Sequence, residues 1–144
     1  MFARPELDAI LDAVQKYGVT LFYGVPTLYN YLVDNPKTKR VNWKKLKYCI
    51  CGADTLHETT RKDWKKWTAV DIYEGSGLTE TSGVTHANPQ DRNKVGSFGV
   101  PLPNTYIALV DVDTDKFLPL GEPGELVVSG PQVMKGYWKK PEQN

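Results

Sequence analysis

Apolar side chains recur at helical spacing near the beginning of the chain. In residues 5–17 (PELDAILDAVQKY) they stand at Leu7, Ile10, Leu11, Val14 and Tyr17. Positions three and four apart share one face of an α-helix, so this spacing predicts an amphipathic helix with one buried face. Pro5 suits the first helical position, and Gly18 suits the residue that ends the helix.

The pattern then alternates between short apolar runs and helical segments. A second helix begins at Pro26 and has to end before Pro36, because proline cannot continue a helix. A third opens at a capping-box sequence, Thr55 to Glu58, and continues to about Trp67, with Leu56, Trp64 and Trp67 facing inward. The runs before and between these helices predict strands at 19–24, 47–51 and 69–73. Strands joined by helical crossovers are normally parallel, so a partial parallel sheet with crossover helices is expected.

Beyond Ser97 the pattern changes to short runs separated by proline, glycine and aspartate. TYIALVDVD, KFLPLGEPG and GELVVSG are strand-like, and no long helical periodicity is present. A small antiparallel, barrel-like β unit is therefore expected. We predict an α/β subdomain over residues 1–84 and a β-barrel-like subdomain over residues 85–144, with the joint between about Gly83 and Gly96. The fold class is α/β.

Composition narrows the classes of protein. The chain has 144 residues, 40% of them hydrophobic and 24% charged, which is typical of a globular protein with a core. Its formal net charge of +1 gives no reason to expect nucleic acid or an anionic membrane as a partner. No apolar run approaches the roughly 18 residues of a membrane span, and no signal-peptide pattern is present, so a cytoplasmic location is predicted.

Two local features have alternative readings. The basic segment 36–47 (PKTKRVNWKKLK) could bind a phosphate-rich partner, but its single Trp43 gives no stacking platform, so a solvated connection is favoured. Cys49 and Cys51 point to the same face of a predicted strand with no third cysteine or histidine nearby, which favours buried, reduced thiols over a metal site.

Residues 73–83 (YEGSGLTETSG) follow an apolar strand and contain three glycines, two threonines, two serines and two carboxylates. They form either a mobile loop or a ligand-binding turn. The run follows the carboxyl end of a predicted parallel strand, which is where open α/β sheets bind ligands, so the ligand-binding turn is favoured. From Gly75 to Glu80, glycines let the backbone approach a ligand, the Thr79 hydroxyl can donate to a phosphate, and the Glu80 carboxylate can hold Mg²⁺.

A second turn, CGAD at residues 51–54, follows the preceding strand. Gly52 and Ala53 leave room for a flat ring against the backbone, although an ordinary strand-to-helix turn has the same composition. Neither histidine belongs to a serine or cysteine arrangement of the kind used in catalysis. We therefore expect a solvated His57 and a loop position for His86. His86 is also a minor candidate for lining the ligand site.

Five ordered blocks together resemble the later part of the N-terminal domain of the adenylate-forming superfamily. This group contains acyl-CoA synthetases, firefly luciferase and peptide-synthetase adenylation domains. The first block, followed by its proline-bounded helix, is most similar to medium- and long-chain fatty acyl-CoA ligases. The blocks are GVPTLYNYLVDNP, LKYCICGADTL, YEGSGLTETSG, VGSFGVPLPN and GEPGELVVSGPQVMKGYW.

The resemblance implies an AMP-forming fatty acid–CoA ligase that uses ATP and Mg²⁺, makes an acyl adenylate from a fatty acid, and transfers the acyl group to coenzyme A. It implies that Thr79 contacts the adenylate phosphate and that Glu80 binds Mg²⁺. Both would thus act in catalysis. The implied nucleotide-binding residues are Gly52, Ala53, Asp54, Gly75, Ser76, Gly77 and Thr79. Those implied to line or border the acyl pocket are Tyr23, Gly24, Val25, Pro26, Gly75, Gly77 and Val84.

The chain departs from the family pattern at specific places. Ser76 stands where the family has an aromatic that stacks on adenine, and Ile50-Cys51-Gly52 stands where it has Ser-Gly-Gly. The sequence contains no Ser/Thr/Gly-rich loop ending in lysine, no Thr-Gly-Asp and no C-terminal domain with a catalytic lysine. We therefore expect an internal fragment whose partners are the missing parts of the parent, inactive alone and prone to self-association through an exposed sheet edge. The alternative is a stand-alone, non-catalytic module that binds nucleotide or acyl groups.

Overall fold

The computed structural model describes residues 6–143. The chain divides into two compact units. The first comprises the residues up to Gly75 together with Asn88–Gly99, and the second comprises Ser76–Ala87 together with the residues from Val100 onward. The predicted subdomain boundary after residue 84 stays a prediction.

Helix α1 spans Leu7–Tyr17 and buries Leu11 and Val14. Its end is set by Gly18, which adopts a left-handed conformation (φ 62°) and donates its N–H to the Val14 carbonyl at 2.9 Å. Glycine takes this conformation without a side-chain penalty, so the helix ends where the sequence indicates. Pro5, predicted to start the helix, lies outside the described residues.

Strand β1 spans Leu21–Gly24, and helix α2 spans Pro26–Asp34. Proline at the first helical position supplies the required φ and has no N–H to leave unpaired. The helix ends before Pro36, as predicted, and a 3₁₀ turn follows over Pro36–Arg40.

The basic segment after α2 is only partly a solvated connection. Its cations lie at or near the surface, but Thr38, Val41, Trp43 and Leu46 are buried. The Trp43 indole N–H donates to the Thr38 carbonyl at 2.8 Å. The prediction overlooked that a charged segment can pack isolated apolar residues beneath it.

Strand β2 spans Tyr48–Cys51, and helix α3 spans Glu58–Thr68. The predicted capping box is wrong, because the residue before the helix is His57 and no side chain caps it. Leu56 is buried and donates its N–H to the Glu74 carboxylate at 3.3 Å, so residues up to His57 are held outside the helix.

Strand β3 spans Ile72–Leu78, later and longer than the predicted strand at 69–73. Ala69 instead ends α3 in a left-handed conformation (φ 61°). The three strands β1, β2 and β3 are parallel, with Phe22 opposite Cys49 and Cys49 opposite Ile72. The predicted parallel sheet with crossover helices is therefore confirmed.

Strands β4 (Gly83–Ala87) and β5 (Val100–Pro101) extend this sheet in the order β1-β2-β3-β4-β5, with β5 antiparallel to β4. A separate antiparallel sheet pairs β6 (Tyr106–Val110) with β7 (Glu125–Ser129). The α/β fold class with a small antiparallel unit is thus confirmed. KFLPLGEPG is not a strand, and contributes only an isolated bridge between Phe117 and Val110.

The core of the first unit is an aromatic cluster on one face of the parallel strands. The Trp64 ring lies at centroid distances of 5.0, 5.1 and 5.8 Å from Trp43, Tyr29 and Phe22. Trp64 and Leu56 are buried as predicted, and Trp67 is half-buried against the same core, with the Lys39 ammonium 5.0 Å from its ring centroid.

Both cysteines join this core as free, buried thiols, as predicted. Burial raises the pKa of Cys49 to about 11 and that of Cys51 to about 12. No helix within residues 6–143 combines the length and apolar character needed to cross a membrane.

Candidate functional site

The carboxyl ends of β1 and β2 lie beside the middle of β3, which brings three glycines of the first unit together. Cys51 pairs with Gly24 on one side and with Glu74 on the other. The Gly52 N–H donates to the Gly24 carbonyl at 3.3 Å, and a Cβ placed on Gly52 would lie 3.4 Å from the Gly75 carbonyl oxygen. This edge is therefore lined by backbone rather than by side chains, which suits close approach of a ligand.

The turn after Gly52 is exposed and has an unusual backbone. Ala53 has a φ of 75°, in the left-handed region that non-glycine residues rarely adopt. The Asp54 carboxylate accepts the N–H of the next residue, Thr55, at 2.7 Å. Strained backbone of this kind is concentrated at functional sites in proteins.

A buried amide, which the sequence reasoning missed, anchors β3 within the first unit. Asn88 is 2% exposed and donates from both its backbone N–H (3.0 Å) and its Nδ2 (3.1 Å) to the Glu74 carbonyl. Its Oδ1 accepts the Lys94 N–H at 3.0 Å, and its Nδ2 also contacts the Ser97 carbonyl. These bonds hold the Asn88–Gly99 segment against the strand that carries Gly75. Only an isolated asparagine in a loop marks this network in the sequence.

The predicted acyl-pocket residues of the first unit differ in exposure. Tyr23 is 65% exposed and Val25 is 45% exposed, whereas Pro26 is buried in the first turn of α2. Gly24 is needed for packing, since a Cβ there would lie 2.9 Å from the Tyr29 ring. Tyr23 and Tyr73 flank Ile50 in register on the sheet face opposite the aromatic cluster.

In the second unit a 3₁₀ turn, Thr79–Thr81, presents the two predicted catalytic residues. The glycine-rich run before it is strand, so the prediction of a turn beginning at Gly75 is wrong. Neighbouring backbone supplies the hydrogen bonds that a polar, glycine-rich sequence needs to remain extended. Gly77 packs against Gly83 so closely that a Cβ on Gly77 would lie 1.9 Å from the Gly83 carbonyl oxygen.

Thr81 holds this turn closed and was not singled out from the sequence. Its side chain is buried, and its Oγ1 accepts the Leu78 N–H at 2.9 Å. The same hydroxyl lies 3.0 Å from the Leu78 carbonyl and 2.9 Å from the Gly83 carbonyl. A serine or threonine bonding back to a nearby backbone group is a recognisable local motif, so the run TETSG contained the signal.

Thr79 is exposed, and Glu80 is held by contacts from far along the chain. The Tyr137 hydroxyl donates to Glu80 Oε1 at 2.6 Å, and the Met134 N–H donates to the Glu80 carbonyl at 2.7 Å. The hydrogen bond from Tyr137 lowers the pKa of Glu80, which is ionised near neutral pH. No local pattern could reveal a contact across 57 positions.

The donor chemistry around Glu80 fits Mg²⁺ bound partly by substrate. Mg²⁺ is commonly held by one or two carboxylates together with substrate phosphates rather than by a full protein cage. Glu80 supplies an ionised carboxylate, and residues 6–143 contain no cluster of three or more histidine, cysteine or acidic side chains that could hold a metal. A metal at this position would therefore depend on phosphate oxygens to complete its coordination.

Strand β4 carries the remaining predicted positions. Val84 is 49% exposed, but His86 is 1% exposed and paired with Pro101, so its placement on a loop is wrong. Its Nδ1 lies 2.9 Å from the Thr85 hydroxyl, and burial lowers its pKa, which favours the neutral imidazole. His57 is exposed, as predicted.

Residues 1–138 match the AMP-binding enzyme family. The chain belongs to this family. It is 39% identical to a long-chain-fatty-acid–CoA ligase of Bacillus subtilis (strain 168), over 99% of the chain and 26% of that protein. It is 32% identical to a benzoate–CoA ligase of Thauera aromatica, over 99% of the chain and 27% of that protein.

Solved structures of CoA ligases also resemble this chain. An anthranilate CoA ligase in complex with anthranoyl-AMP superposes with a TM-score of 0.90 at 25% identity, covering 99% of this chain and 28% of that one. A long-chain-fatty-acid–CoA ligase from Archaeoglobus fulgidus superposes with a TM-score of 0.89 at 26% identity, covering 97% of this chain and 30% of that one. The predicted resemblance to adenylate-forming enzymes is confirmed, and the chain spans about a quarter of the length of the curated relatives it matches.

Proposed function

We propose that this chain is part of an ATP-dependent, AMP-forming fatty acid–CoA ligase. In the first half-reaction a fatty-acid carboxylate attacks the α-phosphorus of ATP, and pyrophosphate leaves. In the second the thiolate of coenzyme A attacks the acyl carbonyl, and AMP leaves. The observation that carries the proposal is the 39% identity to a long-chain-fatty-acid–CoA ligase over 99% of the chain.

Gly52, Ala53 and Asp54 are proposed to border the adenine. The backbone-lined edge at Gly24, Gly52 and Gly75 supports this assignment, because a flat ring can lie against main chain without displacing side chains. Ser76 offers no ring for stacking, so adenine binding here rests on backbone contacts and packing.

Thr79 is proposed to donate to the adenylate phosphate, and Glu80 is proposed to bind Mg²⁺. Both belong to the turn that Thr81 closes, so their backbone is fixed before a ligand arrives. Bound Mg²⁺ would stabilise the negative charge that develops on the phosphoryl group. The chain's own contribution is to hold an ionised carboxylate and a hydroxyl donor at adjacent positions, which is electrostatic preorganisation.

The acyl group is proposed to lie near Tyr23, Gly24, Val25 and Pro26, with Gly75, Gly77 and Val84 as bordering residues. Tyr23, Val25 and Val84 are large hydrophobic side chains that remain exposed. Apolar walls with few polar groups are typical of pockets for hydrophobic ligands.

The isolated chain is proposed to be inactive, since its sequence contains no loop for the β- and γ-phosphates and no catalytic lysine of the family type. It is further proposed to act in the cytoplasm and to self-associate when expressed alone.

The test of the proposed function is fatty-acid-dependent exchange of pyrophosphate into ATP, followed by thioester formation with coenzyme A. The full-length protein carrying this chain is expected to do both, and the 144-residue chain neither. Nucleotide or acyl binding without exchange in both proteins would favour a non-catalytic module instead.

A further inference from the structure

The block QVMKGYW, residues 132–138, belongs to the family resemblance but has no role in the function proposed above. Within the second unit it makes two contacts with one residue. The Met134 N–H bonds to the backbone of Glu80, and the Tyr137 hydroxyl bonds to its side chain. The segment therefore fixes both the position of the main chain and the direction of the carboxylate.

Besides the Tyr137 hydroxyl, the Glu80 carboxylate interacts with its own backbone N–H. It forms no salt bridge among the described residues, and its side chain has three rotatable bonds. A carboxylate free to sample rotamers loses that freedom when it binds a metal, which weakens binding. A hydrogen bond that already holds one oxygen removes part of this cost, in the way that outer partners of metal-binding carboxylates do.

The chemistry of the partner is also suited to a metal ligand. A tyrosine hydroxyl is neutral, so it orients the carboxylate without cancelling its negative charge. A lysine or arginine in the same place would compete electrostatically with the cation. The carboxylate has about four lone-pair positions, so the bond at Oε1 leaves capacity for a metal.

We propose that Tyr137 is a positioning residue that holds the Glu80 carboxylate ready for the Mg²⁺ of the nucleotide complex. This inference rests on the proposed function, because it requires that Glu80 binds the metal. The QVMKGYW segment thereby supports the Thr79–Thr81 turn.

The test uses the full-length protein and compares Tyr137→Phe with Tyr106→Phe. The first removes only the hydroxyl that contacts Glu80, and the second removes the hydroxyl of a 72% exposed tyrosine on β6. Binding of Mn²⁺ in the presence of ATP is measured by electron paramagnetic resonance, because Mn²⁺ shares the oxygen-ligand preference of Mg²⁺. Hydrogen exchange of the peptide covering residues 76–83 is measured in parallel.

Tyr137→Phe is expected to weaken Mn²⁺ binding roughly 10-fold, the size of effect usual for an outer partner of a metal ligand. It should also speed exchange in the 76–83 peptide and leave the KM for fatty acid unchanged. Tyr106→Phe should resemble the wild type in all three measurements. In a Glu80→Gln background, Tyr137→Phe should add no further loss of Mn²⁺ affinity.

Unchanged Mn²⁺ affinity in Tyr137→Phe, with a wild-type protein that binds Mn²⁺ and makes thioester, would overturn the positioning role and leave the proposed function intact. An equal loss in the Glu80→Gln background would overturn it too, because the effect would not pass through Glu80. A wild-type protein that neither binds Mn²⁺ with ATP nor makes thioester would overturn both.

Discussion

The Thr81 hydroxyl, on a buried side chain beneath an otherwise largely exposed turn, lies 2.9 Å from the Leu78 backbone nitrogen and accepts its N–H. One side chain thereby satisfies a backbone donor and ties together the two ends of the segment that carries Thr79 and Glu80. The shape of this turn depends on an oxygen at position 81 rather than on the volume of the side chain.

Thr81→Val should therefore destabilise the protein by about 0.5–1.5 kcal/mol, because it removes the part-buried hydrogen bond from the Leu78 N–H. Thr81→Ser is the control, since it keeps the hydroxyl. Urea unfolding followed by fluorescence measures both. Equal stability of the valine and serine variants would contradict the role assigned to the hydroxyl.

Glu80→Gln in the full-length protein should lower adenylation roughly 100-fold or more, because losing the proposed metal ligand would remove several kcal/mol of transition-state stabilisation. Folding should change little, as the side chain is at the surface of the turn. Pyrophosphate exchange measures the rate, and thermal unfolding checks the fold. An exchange rate equal to that of the wild type would refute the metal-binding assignment.

Gly77→Ala should be strongly destabilising, by about 1–3 kcal/mol or more, since the added Cβ meets backbone that cannot rotate away. The matched change is Gly52→Ala, whose Cβ would make an ordinary contact at 3.4 Å with the Gly75 carbonyl. Gly52→Ala should retain most of the stability but weaken nucleotide binding in the full-length protein. Comparable thermal midpoints for the two variants would show that the close packing at Gly77 relaxes easily.

The Arg61–Asp71–Lys65 group should make stability depend on pH. Burial works to raise the pKa of Asp71, but hydrogen bonding from Lys65 and the adjacent Arg61 lower it below its usual value. A lowered folded-state pKa means that the stabilisation is present above the usual carboxyl pKa and is lost as pH falls through the folded-state value. Asp71→Asn should thus cost about 1–2 kcal/mol at pH 7, and less toward pH 3.

Unfolding free energies across this pH range measure the effect. Asp91→Asn is the control, because its 3.7 Å pair with Arg92 is highly exposed and should contribute almost nothing. A difference between wild type and Asp71→Asn that stays constant from pH 7 to pH 3 would exclude Asp71 as the titrating group.

Self-association of the 144-residue chain should follow from its edge strand. Among the described residues β1 pairs only with β2, and Leu21 and Tyr23 on β1 are 51% and 65% exposed. Leu21→Lys should reduce association, since a charge on an edge strand opposes pairing with another chain. Leu120→Lys, at an exposed position outside any strand, should not. Size-exclusion chromatography with light scattering decides the matter, and a clean monomer at high concentration would contradict the expectation.

The sequence predicted those elements whose limits depend on nearby residues. Helix α2 lies between Pro26 and Pro36, and α1 ends at Gly18, because proline and glycine act on the backbone locally. The capping box failed because burial of Leu56, a tertiary effect, decided where α3 begins. The glycine-rich run became strand because neighbouring strands supplied its hydrogen bonds, which no local pattern reports.

In the candidate site, too, local motifs identified some residues and missed those whose roles depend on tertiary contacts. Thr79 and Glu80 were identified from a short motif, and they do stand together on one turn. Tyr137 and Asn88 were not identified, since their contacts with Glu80 and Glu74 join distant parts of the chain. Side chains that support a site are harder to find than those expected to touch the ligand, because they carry no motif of their own.

Cys49 and Cys51 are the chain's two cysteines, and both are completely enclosed by the core. Alkylating reagents react with thiolates, and neither group exposes one near neutral pH. Toward a maleimide the folded protein therefore behaves as though it had no cysteine. A fluorophore attached to one engineered surface cysteine near the Glu80 turn would report ligand binding there without prior removal of the native thiols.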